Sequence, residues 1–237
     1  MTDPAIRTAT ADDWSAIWPI FRETVAAGET YAYPEDFTSG QASALWMERP
    51  PGLTVVLEED GRILGTAKMG PNRPARGDHV GTASFMVDPG ARGRGVGRRL
   101  GEWVVAWHCQ ASFRGIQFNA VVETNTAAVA LWKALSFVIV GTVPGAFRSH
   151  THGYVGLHVM YLDLTQAVSA SRISISRQPR TVASETQTAP NAALSLSPSC
   201  RPRYPIASST PKARSRMMTM AGESTRRTLA VPSAVAE

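Results

Sequence analysis

Four glycines and four arginines crowd between Val87 and Leu100: Gly90, Arg92, Gly93, Arg94, Gly95, Gly97, Arg98 and Arg99. The apolar run Ala83-Ser84-Phe85-Met86-Val87 before them reads as a buried strand. Leu100, Trp103, Val104 and Trp107 after them form the i, i+3, i+4, i+7 stripe of an amphipathic helix. Glycine lets the backbone turn sharply and lets a ligand approach where no Cβ stands in the way. A helix start offers unpaired N–H groups and the positive end of a dipole, which suits an anion. Arginine adds charge-assisted, often bidentate, hydrogen bonds. Residue types and spacing together describe a cradle for phosphate.

The spacing excludes two familiar phosphate loops. A Walker loop ends in Gly-Lys-Ser/Thr, whereas Arg98 and Arg99 follow Gly97. The dinucleotide fingerprint needs G-x-G-x-x-G, whereas Gly93, Gly95 and Gly97 alternate and Arg stands at 98. Arg92, Gly95 and Gly97 instead match Arg/Gln-x-x-Gly-x-Gly/Ala, and here the chain resembles the GCN5-related N-acetyltransferase family. A second stretch supports the likeness. Asn125-x-x-Ala128-x-x-Leu131-Trp132-x-x-x-Ser136-Phe137 is similar to the family's Asn-x-x-Ala-x-x-x-Tyr-x-x-x-Gly-Phe, with Trp132 replacing tyrosine and Ser136 replacing glycine. The first half and Gly70–Pro74 also resemble the phosphinothricin acetyltransferase branch.

The elements that must position these residues follow from periodicity and punctuation. Ala5–Thr8 reads as a strand, and Thr10 with Asp13 forms a capping box for a helix. Trp14, Ile17, Trp18, Phe21 and Val25 are that helix's apolar face, and Pro19 is expected to kink it or end a first segment. Gly28–Asp36 is a loop, and Ser39–Glu48 a second helix stopped by Pro50-Pro51-Gly52. Leu53–Glu58 and Arg62–Met69 are strands around the hairpin signal Asp60-Gly61. Val80–Val87, the cradle and its helix follow, then a strand from Ile116 to Glu123 and a helix opened by Asn125. Phe137–Val143 and Tyr154–Leu164 close the order as strands, with Pro144–Gly153 a loop between them.

That order resembles the acyl-CoA N-acyltransferase fold over residues 5–164. The resemblance implies a mixed α/β domain over residues 1–165. Its mostly antiparallel sheet would have about seven strands and four helices, with a V-shaped gap between the fourth and fifth strands. Residues 1–165 hold 14 Lys/Arg and 16 Asp/Glu, whereas 166–237 hold 10 and 3, so the net +5 belongs to the tail. That tail is rich in Ser, Thr, Pro, Ala and Arg and lacks the apolar residues to offset its ordering entropy, so it is expected to be disordered. A solvated tail is expected, the alternative being contact of its arginines with nucleic acid or acidic lipid. No run reaches the roughly 20 apolar residues of a membrane span. The start carries no apolar signal core. Cys109 and Cys200 lack redox or metal spacing, and the expectation is a cytoplasmic protein.

The family likeness also implies chemistry. Acetyl-CoA would be the co-substrate, and a small-molecule primary amine would attack its thioester directly in a ternary complex, with no metal. Pantetheine would pair with the main chain of Met86 and Val87, and an N–H there would receive the oxyanion. Arg92, Gly93, Arg94, Gly95, Val96, Gly97 and Arg98 would hold the pyrophosphate, with Asn125 and Trp132 beside the cofactor. An amine with a pKa of about 10 must lose a proton, and Glu123 is the first candidate base, followed by Glu29, Asp36 and His79. Trp132 cannot protonate the leaving thiolate. Tyr154, Tyr31 or Tyr33 are the phenols available, or the thiolate leaves unaided. The loops Gly28–Asp36 and Pro144–Gly153 would form the acceptor pocket, with Tyr31, Tyr33, Asp36 and Arg148 as contacts. His150 and His152 at i, i+2 lack a third metal ligand. A homodimer through the closing strands is implied by similar folds. Rival readings are another acyl donor or acceptor, and a CoA-binding sensor that has lost the chemistry.

Overall fold

Apolar runs between Leu53 and Val87 build three adjacent strands. The computed structural model describes residues 4–165; the expected tail, 166–237, lies outside the described residues. In chain order these are β1 (Ala5–Thr8), α1 (Trp14–Ala26), α2 (Ser39–Trp46), β2 (Leu53–Glu59), β3 (Arg62–Pro71), β4 (Val80–Val87) and α3 (Val96–Gln110). Then come β5 (Gly115–Val122), α4 (Thr126–Ala134), β6 (Val138–Ser149) and β7 (Gly153–Asp163). The strands form one 7-stranded sheet in the order β1-β2-β3-β4-β5-β7-β6, and only β4–β5 is parallel. Helices α1 and α2 cover one face, burying Ile17, Phe21, Trp46 and Met86, while α3 and α4 cover the other.

Local chemistry explains the joints. Asp60 (φ 47°) and Gly61 (φ 77°) both take the left-handed backbone that a two-residue hairpin turn needs. The Asp13 carboxylate accepts the Thr10 N–H at 2.7 Å and grips the Arg7 guanidinium through both oxygens, each at 2.8 Å. That fork, helped by the Thr10 hydrogen bonds against the cost of burial, holds the Asp13 carboxyl well below the usual range. Thr38 and Gln41 form a second capping box at the start of α2. Ser136 ends α4 at φ 72°, with the Phe137 N–H closing back to the Trp132 carbonyl at 3.0 Å.

Two expectations are corrected. Pro19 does not end α1, which runs unbroken across it. The carbonyl that loses its partner belongs to Ser15, and both residues are exposed, so water satisfies it. Nor is Pro144–Gly153 a loop. Strand β6 continues to Ser149, with its register slipping between Val143 and Phe147 where Pro144 and Gly145 sit. An edge strand tolerates a proline at a bulge, because no neighbour needs its missing N–H.

Strands β4 and β5 share only two partner pairs, Val80↔Gly115 and Gly81↔Ile116, and then run apart. Glycine is required at this vertex. A Cβ on Gly81 would stand 2.2 Å from the His108 ring, and one on Gly115 would stand 2.2 Å from the Tyr161 hydroxyl. His108 is fully buried, and its Nδ1 lies 2.8 Å from the Val104 carbonyl, which makes that nitrogen the N–H donor. Burial lowers its pKa from 6.5 to about 4, with hydrogen bonds to the main chain opposing the shift. The unfolded chain therefore takes up a proton below pH 6.5 that the folded one refuses until about pH 4. Stability contributed by the neutral ring is whole above pH 6.5 and is lost toward pH 4, by about 3 kcal/mol in all. Urea unfolding of His108→Leu should lack that slope; an unchanged slope would assign it to other groups.

Candidate active site

Helix α3 begins at the glycine-and-arginine turn, and the backbone there explains the composition. Gly93 and Gly95 stand at φ 76° and 78°, and a Cβ on either would meet nothing within 4 Å. Gly95 is the N-cap and has no side chain to offer, so the N–H groups of Val96, Gly97 and Arg98 have no side-chain cap. The first N–H to close back is that of Arg99, onto the Gly95 carbonyl at 3.1 Å. Three amides and the positive end of a 15-residue helix thus face outward together. Val96 offers only its N–H, since its side chain is buried. The arginines divide. Arg94 is ion-paired with Glu59 on β2, Arg98 lies 3.5 Å from Glu102 one turn on, and Arg92 is exposed at the turn.

Beside that turn the splayed strands enclose a cleft of about 380 Å³. Thr82–Phe85 and Val87 of β4 line one wall, Phe118–Val122 of β5 the other, and Gly97 the mouth. Asn125, Leu131 and Trp132 close the side toward α4, and Tyr31 and Tyr33 the side toward α1 and α2. Asn125 already caps α4, its Oδ1 accepting the Ala128 N–H at 3.1 Å, so its NH2 is the part left for a ligand. Trp132 is buried, with ring centroids 4.6 Å from Phe85 and 4.9 Å from Phe118. It is a wall of both core and cleft.

Strand register decides which main-chain groups face the gap. The Asp88 N–H donates to the Leu64 carbonyl, and the register pairs Thr66 with Met86 and Ala67 with Phe85. Alternation in an antiparallel ladder then turns the even residues of β4, Met86 included, toward β3. Ala83, Phe85 and Val87 turn toward the gap. The expectation that Met86 would pair with a ligand through its main chain is thereby corrected, while Val87 keeps that capacity. Met86 is buried against α1 and α2.

The expected catalytic and acceptor residues are mostly elsewhere. Glu29 accepts from the Ser149 hydroxyl at 2.6 Å and from the Thr151 N–H and hydroxyl at 2.9 and 3.0 Å. The Ser149 bond, with those from Thr151, holds its carboxyl below the usual range. It fastens the α1–α2 loop to the β6–β7 turn and does not line the cleft. Glu123 is exposed just beyond Val122 of the lining, its carboxylate accepting the Gly156 N–H. Tyr154 is 76% exposed opposite Arg148 on the β6–β7 hairpin, outside the cleft lining. Asp36 and His79 are exposed and also outside it. Tyr31 and Tyr33 do line it, but burial raises the pKa of both phenols and makes them poorer acids. Thr82, Ser84 and Asn119 also belong to the lining, and nothing in their spacing marks which strand residues a splayed pair exposes. Among the described residues, no three His, Cys, Asp or Glu gather closely enough to hold a metal ion. No described helix is long and apolar enough to cross a membrane.

A seven-stranded sheet splayed at its one parallel pair, with an uncapped helix start at the mouth, is the architecture of an acyl-CoA N-acyltransferase. The pattern of the acetyltransferase (GNAT) family matches residues 12–137, and the chain belongs to that family. A GCN5-related N-acetyltransferase from Kribbella flavida is 55% identical, covers 68% of this chain and 98% of its own, and superposes with a TM-score of 0.67. A phosphinothricin acetyltransferase from Sinorhizobium meliloti, solved with acetyl-CoA, shares the fold at 21% identity and a TM-score of 0.62, covering 68% of this chain and 89% of its own. The L-2,4-diaminobutyric acid acetyltransferase of Nocardia farcinica is 35% identical over 131 residues, which are 55% of this chain and 63% of that one. The chain spans less than two thirds of the length of the curated relatives it matches.

Proposed function

We propose that this chain transfers an acetyl group from acetyl-CoA to a primary amine of a small, amino-acid-like molecule, by direct attack while both are bound. The observation that carries this reading is the open triplet of N–H groups at Val96, Gly97 and Arg98 beside the cleft mouth. A diphosphate fits there because Gly93 and Gly95 leave the approach clear, and Arg92 supplies a cation at the turn. Pantetheine then runs inward along the gap-facing peptide groups of β4, with Val87 first and Phe85 next. One of those N–H groups polarises the thioester carbonyl and receives its developing charge. The amine enters past Tyr31 and Tyr33, and its proton leaves through water to Glu123, which follows directly on Val122 of the lining. The thiol of the departing CoA ionises at a pKa of about 8.5, like cysteine, so no general acid is needed.

Support for an amino-acid-like acceptor comes from the diaminobutyric acid acetyltransferase among the relatives. The reading places the catalytic domain in residues 1–165, in the cytoplasm. A second reading, a CoA-binding module without turnover, is favoured by one observation. The described cleft lining contains no carboxylate and no imidazole. Free-thiol release from acetyl-CoA with a panel of amino acids and diamines separates the two. Amine-dependent release with an N-acetylated product is the expected result. Tight donor binding without release on any amine would establish the sensor instead.

A further inference from the structure

Resting on that reading, we propose that Tyr31 is a displaceable stopper. Its hydroxyl occupies the main-chain N–H and carbonyl of Phe85 in the free protein and yields them when the acyl donor enters. The phenol oxygen lies 2.7 Å from the Phe85 carbonyl, to which it donates, and 2.8 Å from the Phe85 N–H, from which it accepts. One hydroxyl therefore takes both main-chain hydrogen bonds of Phe85, the central gap-facing residue on β4. An arm entering from Gly97 and pairing with β4 like an added strand passes Val87 and then meets Phe85, already taken. The donor cannot pair there while Tyr31 stays.

Displacement leaves Phe85 paired. The thioester or amide carbonyl takes over the Phe85 N–H, and an N–H of the arm or the acceptor takes over the Phe85 carbonyl. The loop itself is pinned. Glu29 is tied to Ser149 and Thr151, and the Tyr33 ring stacks on Phe21 with 5.9 Å between centroids. The Tyr31 ring lies 5.0 Å from that of Tyr33 and edge-on to Trp46 at 6.1 Å, partly open to the cleft. Motion is thus confined to the side chain, and the ring that leaves Phe85 moves within the acceptor wall. Donor binding therefore reshapes the acceptor site.

The test is calorimetric titration of acetyl-CoA into the full chain and into Tyr31→Phe. Removing the hydroxyl leaves the Phe85 N–H and carbonyl without that partner in the free protein and available to the donor. Affinity should rise roughly tenfold, while the ligand-free variant melts at a lower temperature. Equal or weaker binding by the variant, with wild type binding normally, would overturn the stopper and leave the proposed activity standing. Binding by neither would overturn both. The second measurement needs no variant. With ring-labelled tyrosine, saturation with acetyl-CoA should shift the Tyr31 resonance of the wild-type chain, and an unmoved resonance would overturn the proposal.

Discussion

Gly97→Glu is expected to weaken acetyl-CoA binding at least a hundredfold, about 3 kcal/mol, without loss of stability. Gly97 is the second residue of α3, where a Cβ would make ordinary contact with Leu131 at 3.5 Å and Val87 at 3.8 Å. A carboxylate in the first turn of a helix interacts favourably with the dipole and its open N–H groups, by about 0.3–1 kcal/mol. The substitution therefore satisfies the helix start by itself and denies it to phosphate. Both effects have one cause, and they have opposite signs for fold and ligand. Gly93 and Gly95 cannot give so clean an answer. Their positive φ makes any side chain cost about 1–2 kcal/mol before a ligand is considered. Titration calorimetry and urea unfolding of Gly97→Glu, with Gly97→Ala as the uncharged control, read the two effects separately. Wild-type affinity in the glutamate variant would place the diphosphate elsewhere.

The contrast between Gly97 and Glu29 marks the limit of what a chain of letters discloses. The turn that opens α3 is legible because its chemistry is local: Gly93, Gly95 and Gly97, the flanking arginines, a strand before and a helix stripe after. The hairpin at Asp60-Gly61 and the cap at Asn125 are legible for the same reason. The role of Glu29 is not legible, because its partners, Ser149 and Thr151, lie 120 and 122 residues away. A carboxylate in a polar loop looks identical whether it faces a substrate or ties two loops together. The orientation of Met86 is hidden for a subtler reason. Alternation along β4 is visible in sequence, but the parity that sends Phe85 rather than Met86 to the gap is set by the pairing with β3. The Pro144-Gly145 pair read as a loop because proline and glycine break strands in general, and only an edge position exempts them. Thr38-x-x-Gln41, by contrast, is a local signal: a capping box that fixes the start of α2.

Trp132→Ala should cost about 3–5 kcal/mol of stability. Trp132 is the single buried residue of the 9-residue α4, so the docking of that helix depends on it. Its ring sits among Phe85, Phe118 and Phe137, with centroids at 4.6, 4.9 and 6.1 Å, and also reaches Gly101 of α3, where a Cβ would stand 3.1 Å away. Phe85 and Phe118 belong to β4 and β5, the two strands that part to form the cleft. The indole thus fills the wedge of space that the parting opens, in ring contact with both strands. Removing it leaves a cavity bounded by rings too rigid to collapse. The urea midpoint should fall accordingly, and Trp132→Phe should recover most of the loss because it restores a ring between Phe85 and Phe118. A small loss in Trp132→Ala would mean that α4 is held by its Asn125 cap and its neighbours. The phenylalanine variant also separates packing from chemistry: if it restores stability but acetyl transfer stays depressed, the indole contacts the donor as well as the core.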